Sequence, residues 1–169
     1  MSGVGADIGI LRAATDALVA VDVSRWPDAA IAGMFVELRR EVDRLESVAS
    51  RLLVAVEGRG IPYSSGATSI AAWSQWHTGQ RAVEAKASFD AGLACETLPL
   101  TAKAWEQGEI SASLARTICR GLRDEHADVY GEIEDVLVHF AAERNVADLD
   151  GVIGHYRKCC DAVDDREPD

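Results

Sequence analysis

An unbroken heptad pattern between residues 31 and 56 constrains the fold of this chain more than any other feature. Apolar residues recur there at alternating intervals of four and three: Ile31, Phe35, Leu38, Val42, Leu45, Ala49, Leu52 and Val56. Pro27 before the pattern and Gly58 and Gly60 after it are typical of a helix start and a helix end. The pattern predicts one long helix over residues 27–57, with an apolar seam that another helix must cover.

The seam has two possible partners, and the sequence leaves both open. The residues that we single out for this contact are Phe35, Leu38, Val42, Leu45 and Leu52. Packing within the chain is favoured, because the other predicted helices also need a surface to pack on. A homodimer formed through the long helix is the alternative.

The rest of the chain also favours helices, because Ala, Leu, Glu and Arg are abundant and apolar residues do not alternate as they do in strands. We predict an all-α bundle of about seven or eight helices, in a single domain over residues 1–160 followed by an acidic tail or linker at 161–169. The predicted helices cover residues 4–21, 27–57, 69–76, 78–94, 101–107, 111–122, 129–144 and 148–161, with Thr78 as a cap. In the helix over 129–144, the predicted buried side carries Val129, Ile133, Val136, Leu137 and Phe140.

The net charge of −11 is concentrated in the C-terminal third, where the helices over 128–160 are acidic. Residues 1–123 carry 14 acids and 13 bases, whereas residues 124–169 carry 14 acids and 4 bases. Because phosphate neutralisation dominates nucleic-acid affinity, this balance argues against a general nucleic-acid binder but leaves room for a local basic face. The acidic part would either repel DNA or cover such a face.

The segment 99–123 has the spacing of a helix-turn-helix, with a short helix, a turn at Gly108 and a second helix. Apolar side chains occupy one arc of the second helix: Leu114, Ala115, Ile118, Cys119 and Leu122. The opposite side carries Arg116, Arg120 and Arg123, which makes it a candidate contact for DNA phosphates or base edges. The alternative, and the commoner use of such a stripe, is a solvated face that pairs with the acidic C-terminal helices.

The sequence does not predict a catalytic or metal site. His155 and Cys159 could reach one metal ion, but zinc needs four ligands and no further pair supplies them. Glu132, Glu134 and Asp135 are predicted to lie on solvated helix faces, and the four cysteines to be free thiols in a reducing cytoplasm. We expect no enzymatic activity, no cofactor, no metal, no small-molecule ligand and no membrane segment.

Four short segments occur in order along the chain. They are LVAVEGRG at 53–60, GATSIAAW at 66–73, Thr78-Gly79 ahead of an Ala-rich helix with Glu84-Ala85, and Leu98-Pro99 followed by Gly108-Glu109-Ile110-Ser111 and Ala115-Arg116. In their order and spacing these segments resemble the actinobacterial domain of unknown function 222 (DUF222) family, whose members usually precede an HNH endonuclease module. The resemblance spans roughly residues 31–160.

The resemblance implies a non-catalytic accessory domain. In related proteins the HNH module further along supplies the metal site and the cleavage chemistry, and this sequence contains no His-Asn-His constellation to which that role could be assigned. The partners that remain open are DNA, bound through the Arg face, and a second copy, bound through the long helix. Relatives tend to be rich in arginine after Thr78, whereas Glu84 and Asp90 here accompany Arg81 and Lys86. If that helix holds DNA in relatives, it should do so poorly in this chain.

Overall fold

The computed structural model describes residues 3–164, and within them it confirms the all-α prediction. Ten α-helices occur in the described part, slightly more than predicted, and no strand does. The helices are α1 (Gly3–Val19), α2 (Asp28–Gly58), α3 (Ile61–Ser64), α4 (Ile70–Thr78), α5 (Ala82–Ala94), α6 (Pro99–Gln107), α7 (Ala112–Gly121), α8 (Ala127–Glu132), α9 (Glu134–Glu143) and α10 (Val146–Asp164). A short 3-10 turn, Asp124–His126, precedes α8.

The chain divides into two compact units, Met1–Leu38 and Arg39–Asp169. The first unit contains α1 and the start of α2, and the second contains the remainder of α2 and all later helices. α10 continues to Asp164, beyond the predicted helix end, so the predicted acidic tail is helical at its start; residues 165–169 lie outside the described residues.

Two predicted local features of the second unit are wrong. Thr78 does not cap the next helix: it ends α4, where its hydroxyl donates to the Ser74 carbonyl at 2.7 Å, and α5 begins only at Ala82. The helix predicted over 129–144 is divided into α8 and α9. Gly131 weakens the helix there, and the chain turns at Ile133, which has φ −102° and ψ 3°.

The core of the second unit surrounds α7. The largest fully buried side chains include Leu98, Trp105, Ile110, Ile118, Tyr130 and Leu149. Side chains of this size each contribute about 1.5–3 kcal/mol when fully buried, so they account for much of what holds the helices together. In α8 and α9 the buried residues are Tyr130, Glu134, Leu137 and Ala141, while the predicted core residues Val129 and Val136 are exposed.

The buried face of α2 in the second unit is not the heptad seam. Asp43, Ser47 and Ser50 are buried there instead. Small residues make this possible: a Cβ added at Gly92 of α5 would lie 2.6 Å from the Ser50 carbonyl oxygen, so the two backbones are in contact. This close helix approach takes the place of the large apolar contacts that the heptad pattern predicts.

The seam residues that we singled out therefore remain largely at the surface. Leu45 and Leu52, in the second unit, are exposed, and Val42 is half-buried. Phe35 and Leu38, in the first unit, are exposed as well. Within the described chain the seam is not a buried core, and its use as a contact between copies stays a prediction.

Buried carboxylates from distant parts of the chain cap two helices of the second unit. Asp43 of α2 accepts a hydrogen bond from the Ala112 amide, the first residue of α7, at 3.1 Å. Glu134 of α9 accepts one from the Thr101 amide in the first turn of α6, at 2.7 Å. Negative charge at a helix N-terminus is favourable because the free amides point at it. The prediction that Glu134 lies on a solvated face is wrong, since only 3% of the residue is exposed.

The turn between α6 and α7 depends on Gly108. Its φ of +71° lies in the left-handed region, and a Cβ there would meet the Arg40 side chain at 2.6 Å. Ser111 then starts α7, since its hydroxyl accepts from the Leu114 amide at 3.3 Å. The structure therefore contains the predicted pair of helices joined by a glycine turn.

Candidate interaction surface

Exposed large apolar side chains are denser along the first unit than along the rest of the described chain. Between residues 5 and 38, Trp26 is half-buried and every other residue is exposed. The large apolar side chains among them are Ile8, Ile10, Leu11, Leu18, Val19, Val21, Val23, Ile31, Met34, Phe35, Val36 and Leu38. We call this set, carried by residues 5–38, the exposed apolar segment.

The exposed apolar segment is helical although little of it is buried. α1 is 17 residues long, and isolated helices of about 15 residues are only marginally stable in water. In proteins most helix stability comes from packing of an apolar face, and a helix that is apolar on several sides is normally buried. Large exposed apolar patches are typical of sites that contact another molecule or domain.

The same segment carries little charge. Residues 1–38 contain five acids and two bases. Phosphate contacts require Lys and Arg, and these residues offer only Arg12 and Arg25. The exposed apolar segment is therefore suited to an apolar protein partner and not to a polyanion.

The arginines predicted to contact DNA are held in ion pairs within the second unit. The Arg116 guanidinium lies 2.7 Å from Glu46 Oε2, 3.3 Å from Ser88 Oγ and 6.0 Å from the centre of the Trp105 ring. Arg116 thereby links α7 to α2 and α5. Its position indicates a structural role.

The other two arginines face the acidic last helix. Arg120 lies 3.2 Å from Asp150 Oδ1, and Arg123 lies 2.6 Å from Asp161 Oδ1. These partners are solvent-accessible, so each pair contributes at most about 1 kcal/mol and could be exchanged for phosphate. For these two arginines the geometry matches the alternative in which the stripe pairs with the acidic C-terminal helices, whereas Arg116 pairs with α2.

The surroundings of α7 also limit its access to a DNA groove. Helices α5, α6, α9 and α10 all contact it. Its buried residues are Ala112, Ala115, Thr117, Ile118, Cys119 and Gly121. A recognition helix must present its side chains to base edges. α7 instead forms the centre of the second unit, although Arg120 remains solvent-exposed.

Tyrosines and cysteines supply the other reactive groups of the second unit. The rings of Tyr130 and Tyr156 lie 5.1 Å apart, and burial raises the pKa of Tyr130 strongly and that of Tyr156 to about 12. Both phenols are therefore neutral at physiological pH.

The pair His155 and Cys159, which the sequence offered as two metal ligands, is close in the structure: His155 Nε2 lies 3.7 Å from Cys159 Sγ. Nowhere in residues 3–164, however, do three His, Cys, Asp or Glu side chains come together as metal ligands would.

Several important residues were not identified from the sequence. Asp43, Trp105 and Tyr130 were not among the predicted site or core residues, although all three are buried. Each acts through contacts far along the chain, such as the hydrogen bond from the Tyr130 hydroxyl to the Ile118 carbonyl at 2.6 Å. The sequence did contain a signal for the exposed apolar segment, because residues 4–38 carry more apolar residues than one buried helix face requires.

Comparisons with known proteins place most of the chain in one family. No helix in the described part is both long and apolar enough to cross a bilayer. Searches of curated proteins and of solved structures found no match. A profile of the family described as Domain of unknown function (DUF222) matches residues 32–169, so α1 and the first residues of α2 precede the matched region. The chain therefore belongs to the DUF222 family.

Proposed function

We propose that this chain is a non-catalytic interaction module of the cytoplasm that binds a second copy of itself through the exposed apolar segment. The exposure of residues 5–38 is the observation that carries the proposal. In this role the chain would be an accessory domain of the kind that the resemblance associates with HNH endonuclease modules. It would bring partners together and leave chemistry to another module.

The energetics of the segment are sufficient for association. Fully burying one Leu-sized side chain is worth about 1.5–3 kcal/mol, whereas association costs on the order of 4–15 kcal/mol in lost freedom. Twelve large apolar side chains are exposed in the segment of one copy. These side chains are between 38% and 81% exposed, so burying half of them in each of two copies would yield on the order of 9–18 kcal/mol, which is enough to offset a cost of this size.

The pattern within the segment favours an identical partner. Ile31, Phe35 and Leu38 begin the heptad seam, and a repeat of this type pairs helices side by side. The few charges of residues 1–38 impose little repulsion between identical copies. DNA and unrelated acidic or basic proteins would find few groups here to pair with.

Sedimentation of the intact chain at increasing concentration tests the proposal, and one substitution locates the contact. Phe35 is 65% exposed, so Phe35→Glu should leave the melting temperature almost unchanged, as surface substitutions usually do. We expect it to weaken self-association at least about tenfold, which corresponds to roughly 1.4 kcal/mol. The matched control is Val136→Glu in α9, which adds the same charge at a side chain that is 63% exposed and outside the segment.

The control should associate as the natural sequence does. A chain that stays monomeric throughout the micromolar range would rule out the second copy as partner. Equal weakening by Phe35→Glu and Val136→Glu would show that the contact lies elsewhere or reflects charge alone.

DNA contact through Arg116, Arg120 and Arg123 is the weaker candidate, supported by the exposed guanidinium of Arg120. We expect a salt titration with short duplex DNA to show no salt-sensitive binding by the intact chain. If binding does occur at low salt, Arg120→Glu should abolish it and Arg51→Glu should not. Arg51 is a fair comparison because its guanidinium is also exposed and ion-paired, with Glu106. Such a result would support the DNA candidate over self-association as the main role.

A further inference from the structure

Two thiols from different helices touch inside the second unit. Cys95 follows the end of α5, and Cys119 lies in α7. Their sulfur atoms are 3.9 Å apart, which is contact distance for two unbonded sulfurs. A disulfide bond is about 2.05 Å long, so the two sulfurs need to approach by roughly 1.9 Å to bond. Cys95 lies just beyond the last residue of α5, where small backbone shifts are easiest.

Both thiols also border space that a small molecule can enter. Half-buried Cys95 lines a pocket of about 170 Å³ together with Trp105 and Glu106. Cys119 lines a second groove, of about 480 Å³, together with Arg120 and Leu122. A peroxide molecule is small enough for either space.

We propose that Cys95 and Cys119 form a redox-modification site, at which a hydroperoxide oxidises the two thiols to a disulfide that joins α5 to α7. The site is independent of the exposed apolar segment and so goes beyond the proposed function. Intracellular disulfides of this kind are usually transient and respond to oxidants.

The chemistry of the site balances with one hydroperoxide. The Cys95 thiolate attacks one oxygen of the peroxide, the O–O bond breaks, and Cys95 becomes a sulfenic acid. The other oxygen leaves as hydroxide or alkoxide and takes up the proton that the Cys95 thiol released, which gives water or an alcohol. The Cys119 sulfur then attacks the Cys95 sulfur. The displaced hydroxide takes the Cys119 proton and leaves as water. Two thiols are oxidised, and one peroxide is reduced.

The surroundings of the two thiols decide which one attacks the peroxide and which one resolves the sulfenic acid. The hydrogen bond from Cys119 lowers the pKa of the Cys95 thiol, which favours its thiolate. The same contact, together with burial, raises the pKa of Cys119, which keeps its proton until the second step. Cys95 is also the more accessible of the two. It is therefore the attacking thiol, and Cys119 resolves the sulfenic acid.

Oxidation of the other two cysteines is the result that competes with the proposed disulfide. Cys159 is exposed and Cys160 is buried, and they are adjacent in α10. Exposed Cys159 is the position from which bonds between chains would form. A background with Cys159→Ser and Cys160→Ala removes this competition and leaves the proposed pair intact.

The test treats the full chain with a small excess of hydrogen peroxide, counts free thiols after denaturation and maps tryptic peptides. All four thiols are free before treatment, and we expect two to remain afterwards. The peptide at 87–103 should be linked to the peptide at 117–120, and a dithiol reductant should restore the original count. In the background variant both of its thiols should be lost. Adding Cys95→Ser to that background should leave Cys119 unmodified.

Three results would overturn the site. One is thiol loss confined to Cys159 and Cys160, and another is oxidation of Cys95 to the sulfinic acid without a bridge. The third is unchanged oxidation of Cys119 when Cys95 is absent. Peptide mapping of the natural sequence decides the question even if a substituted chain fails to fold.

Discussion

Replacing Gly121 by alanine should destabilise the chain by about 2–4 kcal/mol, because overpacking a filled core costs roughly 1–3 kcal/mol and a buried hydrogen bond is lost as well. A Cβ at this position would lie 2.0 Å from the Tyr130 hydroxyl oxygen and 2.6 Å from the ring carbon that carries it. Tyr130 cannot retreat easily, since it is fully buried and its hydroxyl is fixed to the Ile118 carbonyl at 2.6 Å. Urea unfolding measures the effect.

Gly151→Ala is the matched control for this substitution. Gly151 lies within α10, is exposed, and has no atom within 4 Å of an added Cβ. Alanine is a better helix former than glycine, so this change should stabilise the chain by about 0.5–1 kcal/mol. In the double variant with Gly121→Ala, Tyr130→Phe should restore part of the loss, because it removes the atom in closest contact. A Gly121→Ala chain as stable as the natural one would contradict the packing around Tyr130.

Replacing Asp43 by alanine should cost about 2–3 kcal/mol, as expected for a buried carboxylate that accepts hydrogen bonds and caps a helix. Asp43 Oδ1 accepts from the Arg39 guanidinium at 2.9 Å and from the Ala112 amide at 3.1 Å. Removal of the carboxylate leaves the first amide of α7 without its partner and removes one polar link between α7 and α2, another being the Arg116–Glu46 pair. Asp43→Asn, which retains an oxygen acceptor, should lose about half as much.

Glu41→Ala on the same helix is the comparison for Asp43. The Glu41 carboxylate is exposed and pairs with Arg44 at 2.8 Å. Exposed pairs of this kind contribute at most about 1 kcal/mol, so the change in unfolding free energy should be small. Equal effects of Asp43→Ala and Glu41→Ala would mean that the cap does not stabilise α7.

Local signals along the chain predicted most helices but not the surfaces that they bury. Pro27, Ser69, Gly108 and Ser111 mark helix boundaries through backbone and capping chemistry that acts within a few residues. The faces depend on long-range partners instead. Ser50 is buried because Gly92 lets α5 approach, and a periodicity of apolar residues contains no information about such a glycine 42 positions away.

The same limit explains which parts of the candidate surfaces could be predicted. The Arg stripe follows from helical spacing, and its pairing with the acidic C-terminal helices follows from charge. The partner of Arg116, Glu46 of α2, lies 70 positions away and could not be predicted from either signal. Glu134 looked like a solvated charge because nothing nearby in sequence shows that the free amide of Thr101 lies beside it. The apolar excess of the first unit, by contrast, is visible in the sequence, since it needs no knowledge of a partner.

Hydrogen exchange of the intact chain at low and high concentration tests most directly whether the exposed apolar segment is a contact between copies. If the segment joins two copies, amides in residues 5–38 become more protected as concentration rises, while those of α7, already in the core, do not change. Phe35→Glu should remove the concentration dependence. Equally fast exchange of residues 5–38 at every concentration, beside a well-protected α7, would contradict self-association through this segment.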